Sequence, residues 1–171
     1  AYHRVTNGRR AKANRAFEAF SCTKFVVPEG AVPDPSDANP DLRQRKYCAY
    51  CHRTLEPMAA FFNRWPDTGR VNFEFNNDAS VDDRGVFRGD TGAGIKDFGR
   101  LLSKSDSYDQ CAIRRGFEFL FGRDMTTAEH KVLLPALTET YKASDNSLRA
   151  VLKAMLEGRK FTESQAGEVA E

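Results

Sequence analysis

At 171 residues, with 40% apolar and 29% charged side chains, the chain has the size and composition of one ordinary globular domain, which excludes a fibrous or wholly disordered protein. A formal net charge of +2 gives no argument for a nucleic-acid partner, and no run approaches the roughly 20 apolar residues of a membrane-spanning helix. The first residue is Ala1 and no signal peptide is visible, as expected of a mature or excised chain.

Residues 1–6 read as a flexible end. From Asn7 to Ser21 a helix is expected, with Ala11, Ala16, Phe17, Ala19 and Phe20 on one face and Arg9, Arg10, Lys12 and Arg15 opposite. Residues 23–41 form a loop broken by Pro28, Pro33, Pro35 and Pro40. Asp41 to Tyr50 reads as a helix. Pro57 then opens a short apolar helix through Phe62, and Pro66-Asp67-Thr68-Gly69 is a turn. Val71, Phe73 and Phe75 alternate with polar residues, the pattern of a short strand.

Helices follow. Ile95, Phe98, Leu101 and Leu102 mark one. Tyr108 to Phe121 is a second, stopped by Gly122. Thr126 to Glu129 is a capping box that opens a third, from Thr127 to Lys142, which Pro135 should kink or divide. Ser147 to Glu157 is a fourth, with Leu148, Val151, Leu152, Met155 and Leu156 on one face. The polar end from residue 162 should fray. The expected fold is mainly α: one helical domain over residues 1–171, with long irregular loops and at most a short strand or hairpin.

The motif that carries chemistry is Cys48-Ala49-Tyr50-Cys51-His52. Two thiols three positions apart can each add to a haem vinyl group, and a His directly after the second places its imidazole beneath the iron. The expected cofactor is one haem c, covalently attached through Cys48 and Cys51, with His52 as the proximal ligand. Two other uses of the motif compete. A structural zinc site could recruit Cys22 and Cys111, but such sites usually show two close ligand pairs, and only one is present. A thioredoxin-like redox pair needs a strand-helix-strand setting that this neighbourhood lacks. Once haem has taken its two thiols, Cys22 and Cys111 are left either to pair in an oxidising compartment or to remain as buried thiols. Thirteen Phe could line a cofactor or simply fill a core.

For the sixth iron position the candidates are Met58, Met125, Met155, His3 and His130. Met58 follows His52 too closely to reach the opposite face. Met155 lies on the apolar face of the last helix, His130 reads as a surface residue, and His3 lies in the N-terminal end. Met125, in a loop before a helix cap, is the ligand expected, with a hydrophobic staple as its purely structural alternative. Arg53, Arg64, Trp65 and Arg88 could donate to haem propionates, with Arg64 and Trp65 taken as cofactor-binding.

The run from Cys48 to Pro57, Cys-Ala-Tyr-Cys-His-Arg-Thr-Leu-Glu-Pro, resembles the C-x-x-C-H-x-x-(hydrophobic)-D-P signature of cytochrome-like domains of unknown function in large secreted bacterial proteins. Phe61 to Gly69, Phe87-Arg88-Gly89, Leu101-Leu102, Tyr108 to Cys111, Gly122-Arg123 and the upstream Cys22 look like its further elements. Glu56 stands where that signature has Asp, and Met58 where it has an aliphatic residue before Gly. The resemblance spans roughly residues 7–161 and implies a secreted, haem-binding, mainly helical module. The expectation is therefore a mono-haem carrier that passes one electron between redox partner proteins in the periplasm or at the cell surface, alone or within a respiratory or other redox complex. The rival expectations are the haem domain of a peroxidase or larger oxidoreductase with an open sixth site, and a non-redox module that keeps haem for folding.

Overall fold

The computed structural model describes residues 8–26, 29, 30, 32, 34, 36–65 and 78–158. The chain is mainly α-helical and divides into two compact units, residues 1–104 and 105–171. None of the described helices is long and apolar enough to cross a membrane.

The first unit contains α1 (Gly8–Ser21), α2 (Ala49–Ala59), a 3-10 turn (Ala60–Phe62), a hairpin of β1 (Arg84–Phe87) and β2 (Asp90–Ala93), and α3 (Gly94–Ser103). α1 buries Ala13, Phe17 and Ser21, a stripe repeating every four residues. The helix expected over Asp41–Tyr50 begins only at Ala49. Ahead of it, Asn39 N donates to Asp37 Oδ1 (3.1 Å), Asp41 N to Asn39 Oδ1 (2.9 Å) and Arg43 N to Asp41 Oδ1 (3.0 Å). These side chains capture backbone donors two residues on and turn the chain. Pro57 starts no new helix but lies inside α2. It leaves the Arg53 carbonyl without an i+4 donor, a loss confined to the last turns of a helix that buries Leu55, Met58 and Ala59.

In the hairpin Val86 faces Thr91 and Phe87 faces Asp90. The connecting residues Arg88 (φ 53°) and Gly89 (φ 94°) both lie in the left-handed region, as a two-residue I′ turn requires. The Phe-Arg-Gly element is thus the corner of this hairpin. Among the described residues, Phe17, Phe61, Phe87 and Phe98 are core, whereas Phe20 is exposed. Phe61 and Phe98 rings are 5.3 Å apart, Phe87 and Phe98 5.5 Å, and Phe17 and Phe87 6.2 Å. Gly85 is obligatory here, because a Cβ on it would lie 2.5 Å from the Phe61 ring. The turn expected at 66–69, the strand around Val71–Phe75 and the two chain ends fall outside the described residues.

Among its described residues the second unit holds α4 (Asp106–Phe121), α5 (Thr127–Ala143) and α6 (Leu148–Glu157). They enclose Ile113, Phe117, Leu134, Leu137, Tyr141, Val151 and Met155. Ser105 and Ser147 cap α4 and α6, Gly122 (φ 66°) ends α4 in the left-handed conformation, and Thr126 with Glu129 forms the capping box of α5. Pro135 does not divide α5, which runs unbroken past it. The buried Leu134, Leu137 and Tyr141 on either side hold the helix to the core.

Candidate functional site

The Cys-x-x-Cys-His run is the opening of α2. Cys48 is its N-cap residue, and Cys51 and His52 fall in the first turn. Helical spacing brings Cys48, Cys51, His52 and Leu55 to adjoining turns of one face. Both thiols are free and half-buried. Burial, and then the neighbouring Cys48, pushes the Cys51 thiol above its ordinary value. That direction is opposite to the lowered thiol of a thiol–disulfide catalyst.

His52 is held from one side. Its Nδ1 lies 2.7 Å from Glu56 Oε1, one helical turn on, and Arg10 Nε reaches the same oxygen from α1 at 2.5 Å. The three side chains are largely buried, at 28% exposure for Arg10, 22% for Glu56 and 20% for His52. A carboxylate only accepts, so Nδ1 carries the hydrogen and donates it. On the neutral ring Nε2 is then the lone-pair nitrogen, and no hydrogen bond to it is present among the described residues.

His52 opens into a cleft of about 350 Å³ between α1 and α2. Ala11, Asn14, Arg15 and Glu18 line it from α1 and Leu55 from α2, besides Arg10 and His52. The Asn14 Oδ1 atom is buried there without a hydrogen-bond partner. A second cleft of about 320 Å³ lies on the other side of α2, floored by Phe17, Pro57, Met58 and Phe87, with Arg53 and Arg88 among its lining residues.

The other residues singled out from the sequence scatter. Arg64 is a structural clamp: its Nε donates to Asp83 Oδ2 (2.9 Å) and its terminal nitrogens to the carbonyls of Asp78 (2.8 Å) and Val81 (3.1 Å). The Trp65 carbonyl accepts from Lys12 Nζ (3.2 Å). Neither Arg64 nor Trp65 lines the His52 cleft, whereas Arg53 and Arg88 both line the second one. Met58 and Met155 are wholly buried in their own units. Met125 packs against the α4–α6 core, and His130 is exposed on α5. His3 lies outside the described residues.

Cys22 and Cys111 are both disulfide-bonded, which removes them as thiolate ligands for zinc. Among the described residues no group of three or more His, Cys, Asp or Glu side chains is placed to hold a metal ion. The residues that sequence reasoning passed over are Glu56 and Arg10. The i+4 spacing of Glu56 from His52 was the available signal; Arg10, far away in the chain, gave none.

Comparison of the chain with protein-family models, with curated proteins and with solved structures finds no match.

Proposed function

We propose that this chain is a mono-haem c-type cytochrome module that passes single electrons between redox proteins outside the cytoplasm. The observation that carries the reading is the state of the motif. Two free thiols and a histidine lie on one helical face, and the imidazole is tethered through Nδ1 with Nε2 left open beside a cleft. This is the donor set a covalent haem requires. Cys48 and Cys51 would form the two thioethers and His52 Nε2 would ligate the iron. Bound haem would supply a one-electron ferric–ferrous couple, while the chain sets access and potential. The disulfide state of Cys22 and Cys111 suits an oxidising compartment, where haem attachment in bacteria also takes place.

One observation favours a second reading. The described lining of the His52 cleft includes no Met and no second His. That suits a haem whose sixth position is open to a small ligand, as in the haem domain of a peroxidase or larger oxidoreductase. The test is to export the chain in a host that carries the haem-attachment machinery and record its spectrum with and without cyanide. A low-spin spectrum indifferent to cyanide supports the carrier. A high-spin spectrum that cyanide shifts supports the open-site reading, and a chain without covalent haem sinks both.

A further inference from the structure

We infer that Glu56, anchored by Arg10, is the positioning residue that fixes the tautomer of His52 and makes it an electron-rich ligand, so that the iron it holds has a lowered potential. This rests on the haem reading above and concerns the face of His52 turned away from the iron.

Residues four apart lie one above the other, so a carboxylate at position 56 can reach the imidazole at position 52 without distorting α2. Glu56 Oε1 takes up that contact at 2.7 Å. The same oxygen is engaged from α1 by Arg10 Nε at 2.5 Å. The carboxylate is therefore pinned between two helices, and the imidazole inherits its orientation. Ligand histidines commonly donate their second N–H to such a group, which sets the ring's tautomer and raises its basicity, and loss of such partners typically costs 10- to 100-fold in affinity or activity. A charged acceptor draws the Nδ1 proton more strongly than a neutral carbonyl would, because charge-assisted hydrogen bonds are about twice as strong. More electron density on Nε2 favours the ferric state. Arg10 opposes this by drawing charge from Glu56 toward itself, so the two residues act on the potential with opposite signs. Glu18, another carboxylate lining the same cleft, is paired with Lys24 at 3.2 Å and has no bond to His52.

The test has two arms, both on the full chain. In the haem-free chain, long-range nitrogen–proton NMR near pH 9, well above the ordinary imidazole value of about 6.5, reads the His52 tautomer directly. The wild-type ring is expected as Nδ1–H. Glu56→Gln keeps an acceptor and keeps that tautomer, whereas Glu56→Ala moves the ring to the Nε2–H form. In the haem-loaded chain, Glu56→Gln is expected to raise the ferrous-to-ferric ratio at fixed poise about tenfold, which is about 59 mV for a one-electron couple. Arg10→Gln should lower that ratio, and Glu18→Gln should move it several-fold less than Glu56→Gln does. An Nε2–H ring in the wild-type chain overturns the assignment whatever haem does. Equal shifts from Glu18→Gln and Glu56→Gln also overturn it, by reducing the effect to a general field. If the wild-type chain takes up no haem, the cytochrome reading fails, and the claim about potential falls with it, while the NMR arm still reports whether Glu56 sets the ring.

Discussion

The loop between α4 and α5, which carries Met125, is bridged by the ion pair of Arg123 with Glu129. Arg123 donates through two nitrogens to the two Glu129 carboxylate oxygens, each at 2.8 Å, and Glu129 also accepts from Thr126 N at 2.8 Å. Glu129 is only 8% exposed and the Arg123 side chain 29%, so water screens the pair only in part. Chiefly because of the Arg123 hydrogen bonds, its carboxyl is lowered from 4.5 to about 2. That depression corresponds to about 3 kcal/mol of stabilisation in the ionised form. A depressed folded-state value gives stability that is complete above the unfolded value near 4.5 and is lost as the pH falls toward about 2. Glu129→Gln, which keeps the shape and loses the charge, should therefore destabilise the α4–α6 unit by about 2–3 kcal/mol at neutral pH and by far less near pH 2. Native-state hydrogen exchange of α5 amides, compared between the two proteins across that range, measures this locally. An equal deficit at neutral pH and near pH 2 would refute the electrostatic account and leave only a packing effect.

Three further outcomes follow from the same structure. Gly85→Ala should destabilise the first unit by about 1–3 kcal/mol, since its Cβ would enter the Phe61 ring, and a thermal melt that does not move would contradict that packing. Thiol titration of the haem-free, unreduced chain under denaturing conditions should count two reactive groups, Cys48 and Cys51, and four after reduction; a count of four before reduction would contradict the disulfide state of Cys22 and Cys111. Met125→Ala should cost the second unit about 1–2 kcal/mol through lost contact with its core. In the haem-loaded chain the same substitution should leave the spectrum unchanged if Met125 is a staple. Conversion to a high-spin form would instead return it to the iron.

The second unit was legible in the sequence because its helices announce their own ends. Gly122, the Thr126–Glu129 box and Ser147 satisfy backbone groups locally, so those boundaries are written in a few adjacent residues; Ser105 caps α4 in the same way, but that helix was expected only from Tyr108. The start of α2 was not. Cys48 makes no side-chain capping bond, and the polar residues before it read as helix while their Asx contacts make turns. The hairpin was hidden for a similar reason, since Arg88-Gly89 lacks the usual Asn-Gly or Asp-Gly signal for a I′ turn. Of the site, the Cys48–His52 motif was visible as a pattern and the Glu56 contact was latent in helical spacing. The Arg10 contact and the withdrawal of Arg64 to clamp the 78–83 segment are tertiary facts that no local pattern encodes.

Everything proposed for the haem turns on its covalent attachment at Cys48 and Cys51. The most direct measurement is the mass of the chain after export through a haem-attachment system and complete denaturation, for the wild type and for the Cys48→Ser/Cys51→Ser double variant. The account predicts the wild-type polypeptide heavier by one haem and the double variant at its bare polypeptide mass. A wild-type chain that emerges at its bare mass, in a host that loads a control cytochrome, would contradict it.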